Sequence, residues 1–210
     1  MEIIDFGFFN YNEPYENKYS WWSRIYEYDY VIKTIDSLIK DKDILIHNTS
    51  WGYEGDHVIF KNTLDNIYKN SLHSDIKKSN INNTFIYDIT KKIDDKYINY
   101  FDVVINISTI EEVPFDNIQI IKNLFEQVKV NGYLIITFDF DENTKNKNGN
   151  GSMNINEVLE FLKDAINYKD FSTISTNTNS LNGINSVKPN SRYVNLNCGK
   201  LILKKIIQTN

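Results

Sequence analysis

Carboxylates that close short apolar runs are the residues of this chain best placed to do chemistry. Asp75 follows the run through Leu72-His73-Ser74, and Asp88 closes Thr84–Tyr87. Two carboxylates at the ends of neighbouring strands can accept hydrogen bonds from the hydroxyls of a ribose and the amino group of an adenine. Such recognition needs acceptors at fixed positions, and strand ends supply them. Either Asp could equally cap the turn beyond it. Glu111-Glu112 is an acidic pair just ahead of Pro114, readable as a general base or as a solvated turn.

Tyr19, Trp21, Trp22, Arg24, Tyr26, Glu27 and Tyr28 form a dense aromatic cluster. Flat aromatic faces stack on sugar rings, and Arg24 could pair with an acidic group such as a phosphate. The same residues could instead seal one edge of the core. His47, His57 and His73 with Asp75 match no compact metal-ligand spacing and read as scattered structural or surface histidines. Ser50 lacks the flanking glycines of a nucleophile elbow, and no Walker or Gly-X-Gly-X-X-Gly sequence occurs. Cys198 is the single cysteine, so neither an internal disulfide nor a thiolate zinc cage can form within the chain.

The elements that must hold these groups alternate. Residues 29–40 place Val31, Ile32, Ile35, Leu38 and Ile39 at helical spacing, and 43–47 form a short apolar strand. Turn-rich Asn48 to Gly55 comes next, then a helix within 57–66 and a second strand within 67–73. Residues 84–87 are a third strand. Asp102–Ile107 is β-branched and apolar throughout, as a strand buried on both faces should be. A helix over 116–129 leads to Asn131-Gly132 as its C-cap, and Tyr133–Phe138 is the next buried strand. Residues 141–151 form a hydrophilic loop, Asn154 caps a helix over 154–166, and 192–196 with 200–206 make a terminal hairpin around Asn197-Cys198-Gly199. Strands alternating with helices predict a mainly parallel sheet covered on both faces, closed by that antiparallel hairpin. The organisation expected is an N-terminal arm or lid over residues 1–28 and one domain over 29–210.

Composition narrows the partners. The chain is 41% hydrophobic and 24% charged with a net charge of −5, ordinary for a globular protein. Its 23 basic residues include only two arginines, Arg24 and Arg192, and no dense basic run. Nucleic acid is therefore a poor partner. Residues 1–12 begin acidic and hold no long apolar run, so neither a signal peptide nor a membrane span is expected and the location reads as cytoplasmic. A homo-oligomer is left open.

With these features in hand, the chain resembles the class I S-adenosylmethionine (SAM) methyltransferases, particularly those acting on sugars and small molecules in glycan pathways. The resemblance covers roughly residues 42–140. Phe101-Asp102-Val103-Val104-Ile105-Asn106-Ile107, continuing to Glu111-Glu112-Val113, is similar to the family's fourth strand and following loop. Leu124 to Thr137, ending Val130-Asn131-Gly132-Tyr133-Leu134-Ile135-Ile136-Thr137, is similar to its helix, glycine turn and fifth strand. The first motif departs: the family has an acidic strand end and a tight Gly-X-Gly loop, whereas this chain reads Ile46-His47-Asn48-Thr49-Ser50-Trp51-Gly52, with Gly55 beyond.

The resemblance implies a Rossmann-like methyltransferase fold and SAM as cofactor. It places Asn48, Gly52, Gly55 and Asn106 near the cofactor, Asp75 at the ribose, and Asp88 with Ile89 at the adenine. Glu111, Glu112, His73 and Asp139 are the possible bases, with Glu111 or Glu112 favoured by position, and Trp22, Arg24, Tyr28 and Asp139 would meet a small polar or sugar acceptor. One rival reading is a methyltransferase-like scaffold without catalysis, and a second is an enzyme using another nucleotide-bearing ligand on the same sheet. In an enzyme the loop 51–55 and the segment 21–28 should face each other across one pocket. In a scaffold Trp51 should fill the methionine volume and pack against the core.

Overall fold

The computed structural model describes residues 1–9, 23–52, 55–141, 153, 155–163 and 196–207. Among these residues seven strands and four α-helices succeed one another as β1 (Glu2–Phe8), α1 (Arg24–Leu38), β2 (Leu45–Thr49), α2 (Asp56–Ile67), β3 (Asn70–Asp75), β4 (Thr84–Ile86), β5 (Phe101–Ile107), α3 (Asn117–Gln127), β6 (Val128–Asp141), α4 (Ile155–Leu162) and β7 (Leu196–Lys204). The strands form one sheet in the order β1-β7-β6-β5-β2-β3-β4. β7 alone runs against the others, pairing antiparallel with both β6 and β1. Among the described residues no helix is long and apolar enough to cross a membrane.

Side-chain alternation explains how one sheet supports two cores. Val103, Ile105 and Ile107 of β5 join Tyr133 and Ile135 of β6 in a cluster beneath α1 and α2. Val104 of β5 and Leu134, Ile136 and Phe138 of β6 face the other way, into a cluster with α3 and α4. Each fully buried aliphatic contributes about 1.5–3 kcal/mol, so one β-branched run is stabilised twice. The three strands expected to be adjacent, parallel and buried are so, as β2, β5 and β6. β2 extends two residues past the expected end because its polar side chains find buried partners. Thr49 Oγ1, for one, donates to the Ile105 carbonyl at 2.7 Å.

Three local expectations are corrected. Residues 1–28 are not all outside the sheet: Glu2–Phe8 forms its outer strand, and α1 begins at Arg24. Asn197-Cys198-Gly199 is not a turn but part of β7, which runs straight from Leu196 to Lys204; residues 192–195 lie outside the described residues. Gly199 is there for closeness, since a Cβ on it would stand 2.3 Å from the Phe138 ring. Asn131-Gly132 does not cap α3, because β6 starts directly after Gln127. Asn131 instead takes the left-handed backbone (φ 68) at an irregularity in the β5–β6 register. The end of α3 is met by Lys205, whose Nζ donates to the carbonyls of Phe125 and Glu126 at 3.2 and 3.3 Å. The expected loop from 142, the cap at Asn154 and the stretch 172–190 lie outside the described residues.

The chain leaves β2 outward through β3 and β4, then returns to β5 on the other side of β2. The strand order therefore reverses between β2 and β5, and a crevice opens outside their carboxyl ends. Gly132 sets the register of that side of the sheet. A Cβ on it would lie 2.6 Å from the Asp102 carbonyl oxygen, a backbone atom that cannot move aside. Gly132→Ala should lower stability by about 1–3 kcal/mol, measured by chemical denaturation; wild-type stability in that variant would show the approach to be slack.

Candidate functional site

A cavity of about 340 Å³ lies at the carboxyl ends of β2–β5. Ser50 walls it after β2, Asp75 and Ile76 at the end of β3, and Tyr87, Asp88, Ile89 and Thr90 after β4. Thr109, Val113, Pro114 and Phe115 close it from the segment after β5. The walls are mainly apolar, with two carboxylates at the ends of neighbouring strands, Asp75 closing β3 and Asp88 just beyond β4. Asp75 Oδ2 accepts the Gly52 N–H at 3.2 Å and Oδ1 accepts that of Lys77 at 3.0 Å. One carboxylate thus holds the end of β3 and the loop after β2 together. Asp88 also caps its turn: Oδ1 accepts from Thr90 N at 3.0 Å and Thr90 Oγ1 at 2.7 Å. The Thr90 bonds hold its carboxyl below the usual carboxylate range.

The loop after β2 reaches its shape without a Gly-X-Gly sequence. Ser50 (φ 55) and Gly52 (φ 84) both take the left-handed backbone, and Gly55 (φ 57) stands at the start of α2. A non-glycine residue at φ 55 carries a small strain cost. Trp51 is 2% exposed. Its ring lies 6.1 Å from that of His73 in β3 and 5.9 Å from Lys61 Nζ in α2. Its burial matches the scaffold expectation, but the indole sits in the α2 layer and the cavity beside Ser50 is open. Asn48 and Asn106 turn inward instead of towards the cavity. Asn48 Nδ2 lies 3.2 Å from His73 Nδ1, and Asn106 Nδ2 donates to Thr49 Oγ1 at 2.9 Å.

A second polar group sits where α1 crosses the ends of β5 and β6. Glu27, fully buried, accepts from Thr137 Oγ1 at 2.6 Å, and also from Ser108 Oγ and Arg24 Nη1. Burial pushes the Glu27 carboxyl up, but the Arg24 charge and the hydrogen bonds outweigh it and hold it below the usual range. Arg24 is correspondingly held above its usual value by Glu27, against the opposing effect of burial. Sequence reasoning missed Glu27 as a site residue. The i,i+3 spacing from Arg24 was the available signal, and it becomes informative only when the helix starts at Arg24.

Glu111 is buried within the short 3₁₀ turn Ile110–Glu112, where Oε1 accepts the Asp139 N–H at 2.8 Å. Oε2 has no partner among the described residues. Burial and then the Asp139 charge raise its carboxyl well above the usual value. Glu112 is exposed. The structure therefore brings Asp75, Asp88 and Ile89 round one cavity, and Arg24 and Tyr28 onto one helix with Glu27. It separates Glu111 from solvent. Trp22 lies outside the described residues. Among the described residues no three His, Cys, Asp or Glu side chains group to hold a metal ion.

No family model and no curated protein matches the chain. Solved structures do match. The trans-methyltransferase CalH in complex with SAH superposes with TM-score 0.52 and 12% identity over 82% of this chain and 53% of that one. Phosphoethanolamine N-methyltransferase 2 of Haemonchus contortus, in complex with S-adenosyl-L-methionine, gives TM-score 0.54 and 12% identity over 85% and 53%. The fold is that of the Rossmann-like methyltransferases. The [4+2]-cyclase SpnF also shares it, with TM-score 0.57 and 13% identity over 97% of this chain and 87% of that one. The chain spans about half the length of the first two.

The protonation of Glu111 gives a test. A carboxyl that holds its proton more tightly when folded stabilises fully below the unfolded value of about 4.3, and the gain is lost as pH rises towards the folded value. Glu111→Gln keeps the acceptor for Asp139 N–H and never ionises. Denaturation at pH 5 and pH 8 should show the variant less sensitive to pH than wild type and at least as stable at pH 8. A variant clearly weaker at pH 8 would mean that Glu111 is ionised in the folded protein.

Proposed function

We propose that this protein is a SAM-dependent methyltransferase acting on a small polar acceptor, a sugar hydroxyl or amine in glycan biosynthesis. The observation that carries the reading is the apolar cavity beside the β2–β5 crevice, with Asp75 at the end of β3 and Asp88 just past the end of the adjacent β4 at its rim. At about 340 Å³ it has the size and apolar lining of a small-ligand site. An adenosine fits that chemistry: flat, largely apolar, with hydroxyls and an amino group at its edge. Asp75 would accept from the ribose hydroxyls while holding Gly52, and Asp88 with Ile89 would border the base. Two of the similar structures are named as complexes with SAH or SAM, which supports the same cofactor here. When bound, that cofactor supplies an electrophilic methyl group.

The protein's own work is alignment and exclusion of water. Arg24 and Tyr28, seated by Glu27 over the ends of β5 and β6, would meet the acceptor with Asp139. Glu111, buried with Oε1 accepting the Asp139 N–H and its carboxyl raised well above the usual value by burial and the Asp139 charge, suits a tie between the segment after β5 and Asp139 better than a base. The open cavity beside Ser50 supports the enzyme over a scaffold closed by Trp51. The sugar or amine character of the acceptor rests on the aromatic cluster around Arg24.

Calorimetric titration should show binding of both SAM and S-adenosylhomocysteine (SAH). Asp75→Ala should weaken both by roughly 1.5–3 kcal/mol through loss of a charge-assisted hydrogen bond. Absence of binding to the wild-type protein would defeat the cofactor reading, and unchanged affinity in the variant would remove Asp75 from the site.

A further inference from the structure

We propose that His57 is the proton acceptor of the crevice, with Tyr28 fixing its imidazole so that Nε2 is left to receive the proton. The proposal rests on the transferase reading for the source of that proton. It begins from a difference among the three histidines. His47 is buried with both nitrogens engaged, Nδ1 at 2.7 Å from Gln127 Oε1 and Nε2 at 2.7 Å from Ser74 Oγ. Burial pushes it down to about 3, so it stays neutral and structural. His73 is likewise committed, Nδ1 to Asn48 Nδ2 at 3.2 Å and Nε2 to Asp65 Oδ1 at 2.9 Å. His57, half-buried in the first turn of α2, has its Nδ1 2.8 Å from Tyr28 Oη. Its Nε2 has no hydrogen-bond partner among the described residues.

The ring is held in place from its other side by Gly52. A Cβ at Gly52 would lie 2.8 Å from His57 Cδ2 and 3.2 Å from Nε2, so only glycine lets the imidazole close onto this loop. The glycine expected to make room for a cofactor makes room for His57. Nε2 thereby lies beside the loop that leads off the end of β2, and Gly52 N–H is itself bound to Asp75. The charged and titratable groups around the ring come from every neighbouring element. They are Arg24, Glu27 and Tyr28 of α1, Asp56 of α2 and Asp75 of β3. Burial first and the Arg24 charge second hold the imidazole below its usual value, which keeps it neutral near pH 7 and able to take a proton.

Where Nδ1–H donates to Tyr28 Oη, the lone pair is on Nε2. With a sulfonium methyl donor bound, the acceptor's oxygen or nitrogen lone pair would bond to the methyl carbon as the methyl–sulfur bond breaks, that bond's electron pair staying on sulfur in the departing thioether. Nε2 would take the O–H or N–H proton, and the imidazolium would return it to water. Glu27 and Asp75 lie near enough to favour that transient charge.

Nitrogen-15 NMR of the imidazoles between pH 5 and 9 tests the assignment without any acceptor. His57 should be the Nδ1–H tautomer at pH 7, and Tyr28→Phe should shift it towards Nε2–H. A wild-type His57 in the Nε2–H form would overturn the proposal. His57→Asn, which can still donate to Tyr28, should bind SAH within about twofold of wild type by calorimetry. A loss greater than tenfold would make His57 a cofactor ligand and overturn the proposal as well. Failure of the wild-type protein to bind SAH would instead overturn the transferase reading, while the tautomer measurement still decides the state of His57.

Discussion

One buried carboxylate seats α1 on the ends of β5 and β6. Glu27 carries a negative charge out of water and is compensated only because Arg24, Ser108 and Thr137 converge on it from α1, the end of β5 and β6. Removing one partner from such an arrangement typically costs about 3–5 kcal/mol, because it leaves the other charge buried and alone. The interaction is therefore close to all-or-none. With it, α1 lies across the carboxyl ends of the central strands, and Val31 and Ile35 reach the core shared with Phe60 and Leu64 of α2. The same seating brings Tyr28 to His57, and through His57 to the loop at Gly52.

Strand ends on both sides of the crevice show the same backbone device. Ser50 after β2 and Ser108 after β5 both take positive φ, at 55 and 37. For Ser108 the compensating interaction is its bond to Glu27. For Ser50 it is the burial of its neighbour Trp51 and the Trp51 N–H bond to the Ser74 carbonyl at 3.3 Å. A loop that lacks the expected first glycine is thus anchored by an indole in the α2 layer and by Asp75. The fold itself does not settle the reaction, since one structure of the same architecture is named as a cyclase. Function has to be argued from the cavity and the side chains round it.

The parallel centre of the sheet was legible because β5 and β6 are apolar without alternation, a pattern with few physical explanations other than burial on two faces. Asp75, Asp88 and Ile89 were legible for a related reason: in such a sheet, residues just past the carboxyl end of a strand border the crevice. Glycines misled in two places. Gly132 and Gly199 were read as turn formers, yet each serves a close contact, with the Asp102 carbonyl and the Phe138 ring. Close approach depends on a partner distant in sequence, so nothing local announces it. Glu27 and His57 were hidden in the same way. Each owes its environment to groups on other elements, Ser108 and Thr137 for one and Tyr28 and Gly52 for the other.

If Glu27 seats α1 over the crevice, amide hydrogen exchange on Glu27→Ala tests that seating most directly. Exchange should become much faster through the first turns of α1 and in the loop at Gly52, with the amides of β5 and β6 still protected. Exchange in α1 indistinguishable from wild type, in a variant of wild-type stability, would contradict it.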